Sequence, residues 1–342
     1  MRITDRKAFA DEFFNRQVIM REVGAEGQRK LQDAKVAVVG AGGLGTVSSL
    51  YLALAGVGNL RLIDQDTVEV QNLHRQILYT VDDLQYPKVE IAAKRLQQLN
   101  PLLRVEAVSE NVNAGNVEKL LANVDFVVDG LDNMRTRYVV NRACVKLKVP
   151  YVFGAAIGLE GNVSVFSPPE APCLECVMPN LADADLQTCV TRGVLGATPG
   201  IIGAMQAMET VKLIVGVGSP LKGKLMVCDF SDMSFATVDV SRNANCPACH
   251  GEISAGLPKE KLVWLCGRGT ANINSEKPLK FSLKEVCETF NVRVKSNMVL
   301  VFDYKNFQVS LFNGGRMLIK NVTDEKTALK TYREILQALN LG

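Results

Sequence analysis

A glycine run between a strand and a helix constrains this chain more than any other feature. After Lys35, Val36-Ala37-Val38-Val39 is apolar and mostly β-branched, the pattern of a strand buried on both faces. It runs directly into Gly40-Ala41-Gly42-Gly43-Leu44-Gly45, and an apolar helix follows to Ala55, where Gly56-Val57-Gly58-Asn59 breaks it. Glycines let backbone N–H groups approach phosphates, and a helix N-terminus adds a favourable dipole. A second strand, Leu60 to Ile63, ends on Asp64, an acid placed to meet ribose hydroxyls. By themselves these residues specify a nucleotide-binding α/β fold. A nicotinamide-dependent oxidoreductase satisfies them as well as an ATP enzyme does.

Strands and helices keep alternating beyond this point. Pro87 opens a helix that carries Lys88 and sets Val89, Ala92, Ala93, Leu96 and Leu99 on one face. Strands read at Val105 to Val108, Asp125 to Asp129 and Tyr151 to Gly154, with helices at Ala114 to Ala122 and Asn133 to Leu147. The order predicts a parallel sheet with right-handed crossovers. From Ile157 to Ser167 the period changes to two, which predicts antiparallel strands at the far side. Thr198-Pro199 reads as the cap and first turn of a helix reaching Val215. The predicted fold class is α/β: a Rossmann-like, mostly parallel sheet extended by antiparallel strands, with a structural zinc site and a small C-terminal α+β domain.

The large nucleotide-binding domain is placed at residues 1–250, with N-terminal helices over 1–32. A polar, Gly/Pro-containing linker occupies 251–260, and the small domain spans 261–342. In that tail, strands read at Leu262 to Leu265, Val299 to Phe302, Phe307 to Phe312 and Arg316 to Lys320. A helix reads near Leu283 to Phe290, Asn313-Gly314-Gly315 marks a hairpin turn, and a last helix runs from a cap at Thr323 or Asp324 to Leu339.

Composition narrows the function. A net charge of +3 with no Lys/Arg run argues against nucleic acid as a partner, and no stretch has the ~20 apolar residues of a membrane helix. The N-terminus has no apolar signal core, so the chain is expected in the cytoplasm. Nine cysteines in that compartment read as metal ligands, a nucleophile and small core residues, not as disulfides.

The residues beyond Asp64 favour ATP over a nicotinamide. Asp66, Asn72, Arg75 and Lys88 come next, and Asp132 stands at the end of the Asp125 to Asp129 strand. Attack of a carboxylate on an α-phosphate brings two anions together, so the site needs cations on the triphosphate and an acid to hold Mg²⁺. Arg75 and Lys88 can supply the first and Asp132 the second. A lone lysine on a helix is usually a solvated charge; the set carries the reading.

Cys173-x-x-Cys176 and Cys246-x-x-Cys249 lie near prolines, far apart in sequence. Together they would fill a closed Cys₄ zinc site, structural because no position remains for a water. His250 is expected to be a bystander. Cys189 lies in a crossover loop of small and β-branched residues, Thr188 to Gly196, beside Arg192 and near a helix start, where a lowered pKa would suit a nucleophile. Cys144, Cys228, Cys266 and Cys287 fit inert small hydrophobes better.

These elements resemble the MoeB/ThiF family of ubiquitin-activating-enzyme-like adenylyltransferases. The resemblance covers Phe14 to His250 and rests on Asn15-Arg16-Gln17, the glycine run, Asp64-x-Asp66, Asn72-Leu73-x-Arg75-Gln76, Pro87-Lys88, Asp132-Asn133, Gly154-Ala155-Ala156, both Cys pairs and Thr188-Cys189. It implies ATP-dependent adenylation of the C-terminal glycine of a ubiquitin-fold protein ending in Gly-Gly. Gly43 (with Gly40 and Gly42) would lie against the nucleotide and Asp64 on the ribose. Asn72, Arg75 and Lys88 would hold phosphates, and Asp132 the α-phosphate and magnesium. Arg16 would enter the ATP site of a second subunit of a homodimer. Cys189 matches a cysteine that forms a thioester or persulfide in some relatives, before a sulfurtransferase or conjugating enzyme acts. His74 departs from the usual polar residue there and has no assigned role, and the tail after Ala255 shows no rhodanese-like loop. A non-catalytic scaffold subunit is the remaining alternative, against which Arg16, Arg75, Lys88 and Asp132 all stand.

Overall fold

The computed structural model describes residues 5–187, 191–251, 262–264, 269–275 and 279–341. The backbone divides into two compact units, Met1–Asp82 with Lys88–Leu257, and Pro258–Gly342 with Asp83–Pro87.

In the first unit, helices α1 (Arg6–Phe13), α2 (Asn15–Val18) and α3 (Gly24–Asp33) precede an eight-stranded sheet. Its strands are β1 (Lys35–Val39), β2 (Asn59–Ile63), β3 (Arg104–Val108), β4 (Phe126–Asp129), β5 (Tyr151–Ile157), β6 (Glu160–Phe166), β7 (Lys224–Asp229) and β8 (Ser234–Asp239). They lie in the order β3-β2-β1-β4-β5-β6-β7-β8. Pairing is parallel from β3 to β5 and antiparallel from β5 to β8. The chain reverses direction across the sheet between β1 and β4, so the loops leaving those two strands face one crevice, the usual ligand position in such sheets.

Helices α4 (Gly43–Ala55), α5 (Lys88–Leu99), α6 (Val117–Leu120), α7 (Met134–Leu147), α8 (Leu174–Val177), α9 (Ala197–Val215) and α10 (Pro247–His250) complete this unit. One core packs Ala37, Val39, Val127, Val140, Tyr151, Phe153 and Phe166 between the sheet and α7. The buried Val-rich runs of β1 and β4 make these central strands recognisable, because both of their faces are covered.

Two expectations need correction. The helix predicted at Ala114 to Ala122 is only the four-residue α6, since Asn113 and Asn116 commit their side chains to an Asn-rich turn that replaces its first turns. Thr198 does not cap α9: its hydroxyl donates to Gly158 O at 2.8 Å, and Gly196 is the cap residue. No local pattern marks β8, which is exposed at every position and so has no alternation to detect.

The second unit is a six-stranded antiparallel sheet in the order β11-β12-β13-β14-β10-β9. These strands are β9 (Leu262–Trp264), β10 (Thr270–Ile273), β11 (Val292–Lys295), β12 (Val299–Tyr304), β13 (Phe307–Phe312) and β14 (Met317–Lys320). Leu300, Phe302, Val309, Leu311 and Ile319 pack in one core with Ala328, Tyr332 and Ile335 of α12 (Glu325–Ala338) and Val286 of α11 (Leu283–Thr289). Ser282 and Glu285 form a capping box on α11, and Asp324 caps α12 through Thr327 N at 2.8 Å. The expected linker, apart from Gly251, lies outside the described residues. No helix among the described residues is long and apolar enough to cross a membrane.

Candidate functional site

The glycine run packs against the loop leaving β4. Gly40 has φ +96°, and a Cβ there would lie 2.4 Å from Gly130 O; one at Gly45 would lie 1.8 Å from Gly40 O. The two loops can approach this closely only without side chains. Helix α4 begins at Gly43 with Gly42 as cap residue and no side-chain cap, leaving its first N–H groups available to an anion.

Asp64 braces this loop. Its two oxygens accept from Ala41 N and Asp66 N, each at 2.7 Å. Burial raises its carboxyl above the usual aspartate range, with Lys88 opposing. Lys88, only 4% exposed, donates to Asp66 Oδ2 at 3.0 Å. Burial would lower the ammonium's pKa, but Asp66 and Asp64, helped by Asp132, overcome it and hold the lysine above its ordinary value. Asp66 Oδ1 is buried without a hydrogen-bond partner in the structure. An orphaned acceptor beside a charged lysine marks a place built to take a further polar ligand.

Arg75 stands beside Gly43, where a Cβ would come 3.6 Å from its Cγ. Its Nη2 donates to Asn72 Oδ1 at 3.0 Å and its Nη1 to Gln71 O at 2.8 Å, with His74 Nε2 also 2.8 Å from Nη1. Asn72 therefore orients the arginine through a buried side chain. Tyr79 donates to Ala41 O at 2.9 Å, closing the same wall. Asp132 is exposed, with Asn133 Nδ2 3.2 Å from its Oδ1, while Asn133 caps α7 through Thr136 N at 2.9 Å.

Gly40, Gly42, Gly43, Asp64, Asp66, Asn72, Arg75, Lys88 and Asp132 are thus linked by contacts and charge around the glycine run. Arg16 does not join them. It is exposed on α2, next to Gln17, whose Nε2 donates to Ala55 O at 3.3 Å. Ala55 ends α4, about 20 Å along the helix from Gly43.

The four paired cysteines do converge, with every ligand sulfur within 4.8 Å of the others. Cys173 to Cys246 is 3.6 Å, Cys176 to Cys249 3.5 Å and Cys173 to Cys176 3.7 Å. Tetrahedral zinc thiolates stand about 3.8 Å apart, so the set fits Zn²⁺. Burial pushes the Cys173 thiol far up and Cys249 to about 11, so a cation is what would make them thiolates. Glu175, inside the first pair, accepts from Asn141 Nδ2 at 3.0 Å and is gripped by Arg142 at 2.8 Å, tying the cluster to α7.

The segment after this cluster is anchored at both ends. Asp183 accepts from the first N–H groups of α7, and Tyr138 Oη donates to Met178 O at 2.8 Å while accepting from Leu181 N. Beyond it, Arg192 Nη1 donates to Glu160 Oε2 at 3.0 Å and Gly158 N to Gly193 O at 3.0 Å. Cys189 lies outside the described residues. Sequence patterns alone miss Asp183, Glu175, Asp129 and Arg137. The first two act across tens of residues, and the pairing of Asp129 with Arg137 across a strand end and a helix start has no motif to signal it.

The ThiF family model matches residues 14–248. The chain belongs to the ThiF family. It is 44% identical over 245 residues to the sulfur carrier protein adenylyltransferase of Thermus thermophilus, covering 70% of this chain and 90% of that protein. It is also 44% identical over 238 residues to the adenylyltransferase and sulfurtransferase MOCS3 of Culex quinquefasciatus, covering 69% of this chain but only 54% of that one. The crystal structure of Escherichia coli MccB with MccA-N7isoASN shares the fold, at a TM-score of 0.63 and 23% identity over 70% of this chain and 76% of that chain.

Proposed function

We propose that this ThiF-family chain adenylates the C-terminal carboxylate of a ubiquitin-fold sulfur-carrier protein ending in Gly-Gly. The observation that carries the reading is Lys88, buried and charged among Asp64, Asp66 and Asp132 beside an uncapped, glycine-rich helix start. Hydride transfer has no use for a buried cation there; a triphosphate does. The similarity to a sulfur carrier adenylyltransferase favours a carrier protein as the acyl substrate.

In the reaction, a carboxylate oxygen of the carrier's terminal glycine bonds to the α-phosphorus of ATP. The bond from that phosphorus to the bridging oxygen breaks, and the electron pair leaves with pyrophosphate. The first N–H groups of α4 and the Arg75 guanidinium receive phosphate oxygens, while Lys88 exchanges part of its contact with Asp66 for the growing charge on pyrophosphate. Mg²⁺ held by the exposed Asp132 carboxylate would neutralise phosphate charge. Asp64 orients the loop and faces the ribose.

Arg16 lies at the far end of α4 from its own crevice, which supports a role in a second copy's site in a homodimer. Zinc at Cys173, Cys176, Cys246 and Cys249 serves stability, and free thiols of this kind suit the reducing cytoplasm. A sulfur nucleophile, either the Cys189 thiolate or one carried by a downstream sulfurtransferase, then attacks the glycyl carbonyl of the acyl-adenylate. The carbon–sulfur bond forms as the acyl–phosphate bond breaks and AMP leaves, and a Cys189 thioester could pass the carrier to a conjugating enzyme. The test is ATP–pyrophosphate exchange with Gly-Gly proteins from the same genome, with and without C189A. Carrier-dependent exchange supports the reading, and a thiol-sensitive adduct lost in C189A assigns the cysteine. Tight NAD(H) binding without any exchange overturns it.

A further inference from the structure

Beneath the crevice lies a buried ion pair that no step above uses. Asp129, at the end of β4, has a fully buried side chain, and Arg137 on the first turns of α7 is 9% exposed at its side chain. Arg137 Nε donates to Asp129 Oδ2 at 2.9 Å. Its Nη2 donates to two backbone carbonyls, Leu131 O at 2.7 Å and Gly154 O at 2.9 Å. The guanidinium lies 5.2 Å from the centre of the Phe153 ring. Asp129 in turn accepts Leu131 N at 2.8 Å through its other oxygen.

Both polar groups of Leu131 are therefore held by one ion pair. Its N–H is held by Asp129 and its C=O by Arg137, and that C=O belongs to the peptide unit leading into Asp132. The same guanidinium bonds Gly154 on β5, so the loop after β4 is tied to the neighbouring strand. Gln206 of α9 adds a bond from Nε2 to Asp129 O at 2.7 Å. A buried ion pair rarely gains net stability over apolar residues of the same volume, so this one calls for another reason to be here. Three directed bonds from one rigid fork supply it, since only a guanidinium spans three acceptors in a plane.

We propose that Arg137 is a positioning residue for adenylation: through Leu131 it fixes the backbone that aims Asp132 into the crevice. The inference rests on the reading of Asp132 given above. Lysine at 137 keeps a charge for Asp129 but cannot reach Leu131 O and Gly154 O together. R137K is thus the informative variant, and R137A tests the fold.

The experiment uses the full chain and reads two quantities. One is carrier-dependent ATP–pyrophosphate exchange, resolved into kcat and KM for ATP. The other is amide hydrogen exchange of residues 130–133 relative to β1. R137K is expected to lower kcat about tenfold or more with KM for ATP within about threefold, and to speed exchange at 130–133 while β1 stays protected. An unchanged kcat, or kcat and KM falling together with the melting temperature, overturns the proposal. So does unaltered amide exchange at 130–133. If the wild-type chain shows no pyrophosphate exchange with any carrier, the functional reading fails instead, and the amide exchange of R137K still decides whether Arg137 clamps the loop.

Discussion

Asp183 accepts the backbone N–H of Met134 at 2.5 Å, and its second oxygen lies 3.2 Å from Arg135 N. One carboxylate from the segment after the zinc-type cluster thus covers the first two amides of α7, directly beside Asp132. A negative charge at a helix N-terminus also meets the favourable end of the dipole. D183A should cost about 0.5–2 kcal/mol, the range for losing a helix cap, read as a lower melting temperature. It should also speed proteolytic cleavage within 180–187, because that side would lose its tie to α7 and keep the Tyr138 contacts. Unchanged cleavage would show that Asp183 does not anchor the segment.

Lys88 should be essential and insensitive to ordinary pH. Its folded pKa stands above the ordinary lysine value of 10.5, so its stabilising charge is fully present below that value and is lost only as pH rises through the folded pKa. Between about pH 6 and 9 no inflection in the exchange rate should come from this group. K88A should lower pyrophosphate exchange ~10²–10³-fold, the scale for removing one donor to a developing charge. The accompanying loss of stability should stay nearer 1 kcal/mol than the ~3–5 kcal/mol of a wholly buried pair, because the Asp66 side chain is 38% exposed.

Two inactive variants should restore one another. R16A and D132A should each be inactive as purified chains, while mixing them after mild dissociation should recover about a quarter of wild-type exchange. Half of randomly re-formed dimers pair the two variants, and one of the two sites in each is then intact. Recovery would be nil if Arg16 served its own crevice. The position of Gln17 at the far end of α4 speaks against that.

The four-cysteine cluster should carry about one zinc per chain, released by chelator and scored with a colorimetric zinc indicator. C246S should lower both zinc content and melting temperature. E175Q should keep the metal but loosen the cluster from α7, because Arg142 loses its charged partner there.

Much of the site could be read along the chain because the fold delivers it in order. Gly40 to Gly45, Asp64 and Lys88 each follow a strand or open a helix whose type is set by local pattern, and ends of parallel strands gather on one side of a sheet. The apolar runs of β1 and β4 are unmistakable, since a strand covered on both faces takes apolar residues unless a buried partner satisfies the polar one, as Arg137 does for Asp129 at the end of β4. Patterning failed where burial stopped: β8, exposed throughout, has no periodic signal, and the helix predicted at Ala114 to Ala122 shrank because asparagines satisfied the backbone locally. Thr198 looked like a cap, yet a carbonyl on the β5–β6 turn competes for its hydroxyl.

The sequence by itself determined the nucleotide-binding α/β class, the glycine loop, and the residue types around it, including both cysteine pairs. Those follow from backbone sterics and short-range periodicity, which operate within a few residues. Only the tertiary structure decided that Lys88 is buried against Asp66, that Asp183 covers the start of α7, and that Arg16 lies a helix length from its own crevice. It alone joined Arg137 to Asp129, Leu131 and Gly154. Charge and hydrogen-bond partners in a low-dielectric interior are chosen by distance in space, and residues 129, 137 and 154 become neighbours only when β4, α7 and β5 pack together.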